Sequence, residues 1–278
     1  MSQEGKVVKI GIIKPGAIGT SVILEYLLDE RADRKDIEVR VYGTGSKMVV
    51  DENLLNAAIQ ANHDLYIVAA PANVKIIKKI AKKLKEAGKR VIIISDEPVK
   101  KSAKEFEEEG YGYIIVYGDP MIGARREFLD PTEMALFNAY VLMVLSATGA
   151  LRIVAKAIDS VIEALKEGKE PELPRIKLSK KRLEKEAGFS NPYALAKAIA
   201  AYEVARKVSE LTTEACFKEQ EPERYIKLAA AAHEMIRYAA KLAEEARELE
   251  KPTDSLLRTP HHSSGKLLSK TKLLEKPR

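Results

Sequence analysis

Five short apolar runs, each rich in β-branched residues, alternate with segments of helical spacing in the first 120 residues of the chain. This alternation limits the fold more than any other feature. The runs are nearly continuous, which is typical of strands buried on both faces of a parallel sheet. Strands that alternate with helices in this way predict an α/β fold. The predicted strands are 6–13, 37–42, 63–70, 90–95 and 111–117, and helices are predicted over 18–28, 73–87 and 99–109.

The rest of the chain is predicted to be helical. From Tyr225 to Leu249 apolar residues recur at alternating spacings of three and four, which indicates one long helix with a single packing seam. An earlier helix begins at Asn191-Pro192, and Glu167–Lys185 is a charged, proline-broken segment without a convincing strand. The sequence therefore predicts a Rossmann-like parallel-sheet domain over 1–130, a helical bundle domain over 131–250 and a small polar, basic C-terminal segment over 251–278.

One segment, Met134–Leu151, carries no charge over 18 residues, which is the lower limit for crossing a bilayer. It follows a strong helix start in which Asp130 caps, Pro131 takes the first position and Glu133 completes a capping box. We therefore expect a helix buried in a protein core or a subunit interface rather than in a membrane. Residues 1–9 lack the apolar core of a signal peptide, and a cytoplasmic location is expected.

The charge balance favours small anionic partners. The chain has 47 Lys and Arg residues against 41 Asp and Glu residues, a formal charge of +6. Because both signs are mixed along the chain, this is not the basic stripe of a nucleic-acid-binding protein. A single cysteine, Cys216, excludes an intrachain disulfide framework and a cysteine-rich metal site. We expect neither nucleic acid, membrane nor metal as a partner.

Loops rich in glycine and proline follow the predicted strands, at 14–21, 43–47, 71–73, 96–98 and 118–126. In an open parallel sheet, ligands bind beyond the carboxyl ends of the strands, and glycine lets backbone N–H groups approach a phosphate. Any one of these loops alone is as well explained by an ordinary turn, but five at one edge predict a cleft. The candidate cofactor-binding residues are Lys14, Gly16, Gly19, Thr20, Gly43, Thr44, Gly45, Ser46, Lys47, Pro71, Asn73, Asp96, Arg125 and Arg126.

A nicotinamide coenzyme is disfavoured as the ligand of this edge. The fingerprint G-x-G-x-x-G is incomplete, because Lys14 stands where its first glycine belongs and only Gly16 and Gly19 remain. The acidic residue expected at the end of the second strand is replaced by Tyr42. Residues 43–47 also lack the spacing of a Walker motif.

The remaining reactive side chains give no catalytic signature. His233 lacks the second histidine of a zinc motif and is interpreted as structural, and Cys216 as a buried or inert thiol. His261 and His262 lie in the polar tail and are expected to be solvated or interfacial. Without a Ser-His-Asp order or an evident acid pair, no catalytic residue is assigned. This suits direct hydride transfer between two bound organic molecules.

Two neighbouring arginines, Arg125 and Arg126, open the segment that follows the fifth predicted strand. One of them is expected to pair with Glu127 or Asp130, and the other to bind an anionic group of a ligand.

Several longer motifs carry a family resemblance that runs nearly end to end. The chain closely resembles the deazaflavin-dependent methylenetetrahydromethanopterin dehydrogenases of methanogenic archaea. The central motif Asp119–Pro131 (DPMIGARREFLDP) is the most specific. The others are Leu27–Arg34 (LLDERADR), Asn191–Ala194 (NPYA), Ala231–Met235 (AAHEM) and Leu257–His261 (LRTPH).

The resemblance implies reversible hydride transfer between methylenetetrahydromethanopterin and coenzyme F-420, an 8-hydroxy-5-deazaflavin, with tetrahydromethanopterin as the one-carbon carrier. It also implies a homo-oligomer, a hexamer built as a trimer of dimers. Placed on that fold, residues 14–20 would line the edge of the coenzyme ring or of the pterin, and residues 43–47 would lie near the acidic tail of the coenzyme. Arg125 or Arg126 would bind a carboxylate or phosphate group. Both ligands are anionic, in keeping with the net positive charge.

Three loops depart from the family pattern, all at the strand ends where the coenzyme is expected. Lys14-Pro15-Gly16-Ala17 replaces a typical Lys-Cys-Gly-Asn, 71–74 is shorter than the usual proline-rich run, and 96–99 replaces Asp-Ala-Pro-Gly. The sequence predicts a family scaffold with an altered ligand edge. The leading interpretation is a dehydrogenase; the alternative is a non-catalytic or altered-specificity paralogue that binds a related cofactor or a partner subunit.

Overall fold

The computed structural model describes residues 6–278 and confirms the α/β fold. Within these residues six strands form one sheet in the order β2-β1-β3-β4-β5-β6, and every neighbouring pair is parallel. The strands are β1 (Val8–Lys14), β2 (Ile37–Gly43), β3 (Leu65–Ala69), β4 (Val91–Asp96), β5 (Gly112–Val116) and β6 (Arg175–Leu178). The order reverses at β1, so the chain winds to both sides of this strand.

Helices cover both faces of the sheet, as the continuous apolar runs predict. Alternate residues of each strand serve opposite faces: Ile12 faces one core and Ile13 the other. The helices are α1 (Gly19–Leu28), α2 (Glu52–Gln60), α3 (Val74–Glu86), α4 (Ala103–Glu108), α5 (Pro131–Ala147), α6 (Ala150–Lys166), α7 (Lys180–Glu186), α8 (Pro192–Thr213) and α9 (Pro222–Glu250). One core lies under α1, α5, α6 and α8, and the other under α2, α3 and α4.

The five predicted strands and the helix over 73–87 are confirmed within about two residues. The predicted helix over 99–109 is split into a 3₁₀ turn, Glu97–Ser102, and the short α4. The absence of a strand after Pro131 is wrong, because β6 lies inside the charged segment and pairs with β5. Residues 131–250 are therefore not helical throughout, and the domain boundaries at 130 and 250 stay predictions.

The long C-terminal helix packs against its neighbours through small side chains. Helices α8 and α9 pack along each other, and α5 also lies against α9. The fully buried positions of α9 include Ala232, Ala239 and Ala246 of the predicted seam together with Ile236 and Ala243. Alanine at the contact lets two helix axes approach closely, so the bundle is tight.

The uncharged segment Met134–Leu151 covers α5 and the start of α6, with a turn at Gly149 whose φ is +83°. Phe137 and Val141 are buried in the core as expected, whereas Met134 and Leu136 are exposed. No single helix of residues 6–278 has the length and apolar composition to cross a bilayer, and only the pair α5 and α6, bent by 69°, passes such a test together.

The C-terminal segment is docked on the sheet domain, which corrects the expectation for His261. Its side chain is buried, and its two ring nitrogens lie 2.8 Å from Glu30 Oε2 and 2.8 Å from Asp159 Oδ2. Arg34, equally buried, joins the cluster through Asp159. His262 is exposed, as expected. The tail is thus held by buried charge pairs.

Candidate active site

A cleft of about 420 Å³ opens at the carboxyl edge of the sheet, between the loops after β3 and β4 and the end of α8. Three of the predicted cofactor-binding residues, Pro71, Asn73 and Asp96, line it directly. The other lining residues are Met48, Ala72, Val74, Lys75, Pro98, Met121, Ser209, Thr212, Thr213 and Phe217. Concave, mostly apolar clefts with a few polar groups at this edge are the usual place for a ligand in such folds.

The wall of the cleft requires glycine at position 16. Gly16 has a φ of +88°, which L side chains rarely adopt, and a Cβ there would lie 2.8 Å from Met48 Cγ and 3.3 Å from Pro71 Cδ. The glycine therefore allows the loop after β1 to lie against two residues of the cleft.

The loop after β2 lies beside the end of β1, because the strand register places Lys14 opposite Gly43. The amide of Thr44 donates to the Lys14 carbonyl at 3.2 Å. The Lys14 ammonium does not point freely at the cleft, since it forms an ion pair with Glu25 at 2.6 Å. Gly45, Ser46 and Lys47 are exposed to solvent. This loop therefore presents the exposed residues Gly45, Ser46 and Lys47 beside the end of β1, although the Lys47 amide already donates to the Thr44 carbonyl.

The N-terminus of α1 is occupied by a carboxylate from the protein itself. Asp119, which is completely buried, accepts hydrogen bonds from the amides of Gly19 at 2.7 Å and Thr20 at 2.8 Å. Burial raises the pKa of Asp119 to about 6, although these amides oppose the rise. Gly19 and Thr20 are not among the residues that line the cleft: both are buried, and their amides are bonded to Asp119. They shape the site rather than face a ligand.

Asp96, the last residue of β4, combines burial with a place on the cleft wall. It is 3% exposed. Burial, followed by the nearby charge of Asp119, raises the pKa of Asp96 to about 7. This electrostatic influence is not evident from the sequence, because Asp96 ends β4 and Asp119 follows β5, and only the order of the sheet brings the two strand ends to neighbouring positions. A partly protonated carboxyl group therefore stands at the edge of the cleft near neutral pH.

The two arginines of the central motif have different surroundings, and neither forms an ion pair with Glu127 or Asp130 among residues 6–278, so that expectation is wrong. Arg125 donates to the carbonyls of Ala215 and Glu219, the latter at 2.7 Å, and its guanidinium lies 4.1 Å from the centre of the Tyr225 ring. It fastens the central motif to the bundle. Arg126 is exposed and remains the candidate for an anionic group.

The bundle closes the far side of the cleft through residues that the sequence did not indicate. Ser209 and Thr212 of α8 are buried at the wall, and the exposed ring of Phe217 stands at the mouth. Phe217 lies in a π-helical turn, Glu214–Lys218, that continues α8. Such turns are frequent at functional sites. They have no reliable sequence signal, so this wall becomes visible only in the structure.

Two further reactive side chains, His233 and Cys216, lie outside the cleft. His233 is buried against Phe128, with ring centres 4.7 Å apart, and Phe137, at 4.5 Å; burial lowers its pKa, as expected for a neutral packing residue. Burial raises the pKa of the half-buried Cys216 thiol, consistent with an inert group. Across residues 6–278, no group of three or more His, Cys, Asp or Glu side chains is arranged to hold a metal ion.

Comparison with known proteins gives one consistent result. The family model of methylene-5,6,7,8-tetrahydromethanopterin dehydrogenase matches residues 8–278. The F420-dependent methylenetetrahydromethanopterin dehydrogenase of Archaeoglobus fulgidus is 53% identical, covering 98% of this chain and 99% of the relative. The enzyme of the same name from Methanocaldococcus jannaschii is also 53% identical, with the same coverage.

A solved structure of an F420-dependent methylene-tetrahydromethanopterin dehydrogenase, in complex with methylene-tetrahydromethanopterin and coenzyme F420, superposes with a TM-score of 0.90. It is 44% identical in sequence, and the match covers 98% of this chain and 100% of the other. Fold, length and sequence agree, and the chain therefore belongs to the methylenetetrahydromethanopterin dehydrogenase family.

Proposed function

We propose that this protein transfers a hydride reversibly between methylenetetrahydromethanopterin and the deazaflavin coenzyme. The observation that carries this proposal is the superposition, over 98% of the chain, on a relative solved with both methylene-tetrahydromethanopterin and coenzyme F420. The cleft is built from the same elements that the fold uses for ligands, the strand-end loops and the facing bundle.

The residues of the cleft fit a flat, anionic coenzyme and a pterin. Met48, Pro71, Met121 and Phe217 provide apolar surface for ring faces, and Asn73 and Asp96 provide polar contacts at the edges. The exposed loop 43–47 would hold the acidic tail of the coenzyme through backbone amides and Lys47, and Arg126 a further carboxylate or phosphate. Gly16 lets the loop after β1 lie against this wall, whereas Lys14 is paired with Glu25 and the amides of Gly19 and Thr20 with Asp119.

Catalysis by such a site rests on position and on exclusion of water. The coenzyme supplies the carbon that accepts the hydride. The protein's apolar walls hold both rings in contact and keep solvent from them, which converts an encounter of two solutes into a reaction within one complex.

The paralogue without activity is the weaker alternative. The three loops that depart from the family pattern leave the cleft open, and the shortened run after β3 contributes Pro71, Ala72 and Asn73 to its lining. No side chain of residues 6–278 fills the cleft. The loop differences are therefore expected to change the affinity for the coenzyme rather than to abolish its binding.

The activity is tested by mixing the purified protein with methylenetetrahydromethanopterin and oxidised coenzyme and following the loss of the coenzyme's visible absorbance. NAD and NADP serve as comparison acceptors and are expected to give no reaction. Coenzyme binding is measured separately by titration. A folded protein that binds the coenzyme but reduces none of it would support the paralogue, and one that does neither would contradict the proposed site.

We also propose a homo-oligomer, as a hexamer in three dimers, and a cytoplasmic location. An apolar surface on α5 and α9 supports the first: Met134, Leu136 and Met143 are exposed, as is Tyr238 across a groove of about 380 Å³. Exposed apolar patches of this kind usually mark interfaces. Light scattering at micromolar concentration checks the assembly, and a stable monomer would contradict it.

A further inference from the structure

Two buried carboxyl groups, Asp96 on the cleft wall and Asp119 at the N-terminus of α1, have no cationic side-chain partner among residues 6–278. Asp96 is 3% and Asp119 0% exposed, and neither forms an ion pair with a lysine, arginine or histidine of residues 6–278. An unpaired negative charge in a dry site is unfavourable, and the charge of Asp119 adds to this cost at Asp96, which favours a retained proton.

The hydrogen bonds indicate which residue holds that proton. Asp119 accepts two backbone amides at the N-terminus of α1, an arrangement that favours its ionised form. Ser95 has one hydroxyl hydrogen, which it donates to the Ala70 carbonyl at 2.7 Å. Ser95 Oγ lies 3.3 Å from Asp96 Oδ1, but because its hydrogen is directed to Ala70 it stabilises an Asp96 carboxylate only weakly. Asp96 also lines the cleft, whereas the Asp119 carboxylate faces the amides of α1, so Asp96 is the one of the two that can pass a proton to a ligand.

The other charged groups around Asp96 are committed elsewhere. Glu97, the next residue, turns to Arg206 at 2.7 Å and Lys100 at 2.7 Å. Tyr202 of α8, close to Asp119, donates to the Leu178 carbonyl, and burial raises the pKa of its phenol far above neutrality. Lys75 lies at the exposed rim of the cleft. Asp119, whose pKa burial raises to about 6, is the other group here that titrates near neutral pH, whereas Glu97 and Tyr202 do not.

We infer that Asp96 is the proton donor of the reaction, a role that rests on the proposed function. Hydride transfer breaks a C–H bond of the methylene carbon and forms one on the coenzyme, leaving a cationic pterin product. A reduced deazaflavin also carries one new N–H bond. Asp96 supplies that hydrogen from its carboxyl O–H, becomes a carboxylate and is reprotonated from solvent. In the reverse direction the same carboxylate accepts the proton.

The test compares the wild-type protein with Asp96→Asn, which keeps the shape but lacks an ionisable proton, and with Asp96→Glu. Coenzyme reduction by the wild type is expected to slow as pH rises above about 7, because the acid is lost. Asp96→Asn should be slower by on the order of 10²–10⁴-fold, without that pH dependence, and Asp96→Glu should restore part of the rate together with a pH limb. An Asp96→Asn variant with the wild-type rate and pH profile would overturn the inference.

A readout independent of turnover is the infrared carbonyl band of a protonated carboxylic acid. The wild type should show a band that titrates near pH 7, and Asp96→Asn should lose it. If that variant does not fold, the wild-type band and the solvent deuterium isotope effect on a single turnover decide the question. A missing band, or an isotope effect of one, would exclude Asp96 as the donor. Failure of the proposed function itself would appear differently, as a wild-type protein without coenzyme reduction.

Discussion

Replacing His261 by alanine tests how the C-terminal segment is fastened to the sheet domain. The imidazole bridges two carboxylates: Asp159, whose side chain is 9% exposed, and Glu30, which is 34% exposed. The buried bond to Asp159 is worth about 1.5–3 kcal/mol as a hydrogen bond between charged groups. The bond to Glu30 contributes less than about 1 kcal/mol, because solvent screens it.

The variant does not leave Asp159 wholly unpaired, since Arg34 remains 3.0 Å away. The full penalty of an isolated buried charge is therefore avoided, and the backbone amide of residue 261 still donates to Glu30 at 2.6 Å. We expect His261→Ala to lower the free energy of unfolding by about 2–4 kcal/mol at pH 6. His262→Ala is the matched control: His262 is exposed, and a change below about 0.5 kcal/mol is expected.

The effect should depend on pH in a defined direction. Burial, the largest single influence, lowers the pKa of His261, but hydrogen bonds to Asp159 and Glu30 outweigh it and raise the pKa above 6.5. Because the pKa of His261 is raised in the folded state, protonation of His261 contributes its full stabilisation below pH 6.5. This contribution is lost as the pH rises through the pKa of the folded state. The difference between wild type and variant should therefore shrink from pH 6 to pH 9.

Urea denaturation at one protein concentration, at pH 6 and pH 9, measures this difference, and hydrogen exchange of residues 258–270 shows whether the tail detaches first. Equal stability of wild type and His261→Ala at pH 6 would refute the reasoning. So would a difference that grows with pH, because the sign of the linkage would then be wrong.

Two other predictions concern close packing at glycine and the different roles of Arg125 and Arg126. Gly118→Ala places a Cβ 2.4 Å from the ring of the buried Tyr202 and should lower stability by about 1–3 kcal/mol in a denaturant titration. Gly43→Ala, whose Cβ meets nothing nearer than 3.9 Å, should change stability by less than about 0.5 kcal/mol. Arg126→Ala should raise the coenzyme KM with an unchanged melting temperature. Arg125→Ala should lower the melting temperature, because it removes charged hydrogen bonds to the π-helical turn. The reverse assignment of the two effects would contradict the structure.

The sheet was predictable because its signal is local. The strands β1, β3, β4 and β5 are runs that are apolar on both faces, and β2 alternates β-branched residues with Glu38 and Arg40; both patterns can be recognised without a partner strand. β6 is the exception: Arg175-Ile176-Lys177-Leu178 alternates polar and apolar residues over only four positions, close to prolines. Only its pairing with β5 makes it a strand.

The contacts that the sequence did not indicate join residues far apart in the chain. His261 bonds to Asp159 across 102 positions and to Glu30 across 231, so its location in a polar tail gave a misleading expectation of exposure. Asp119 reaches the amide of Gly19 across 100 positions. Spacing along the chain does not indicate such long-range contacts. The alternation of strands and helices does indicate that the loops after parallel strands share one edge of the sheet, and the sequence prediction of a ligand edge rests on this rule.

The N-terminus of α1 links the charges of this edge to the choice of coenzyme. In dinucleotide-binding folds it receives the pyrophosphate. Asp119 already accepts the amides of Gly19 and Thr20, and a Cβ on Gly19 would lie 2.4 Å from Val141 of α5, so both the donors and the space are taken. The sequence disfavours a nicotinamide coenzyme because the glycine fingerprint and the acidic residue after the second strand are missing. In the structure, the Asp119 carboxylate occupies the place that the phosphate would take. A coenzyme phosphate must therefore bind elsewhere along the edge, where loop 43–47 presents the exposed residues Gly45, Ser46 and Lys47.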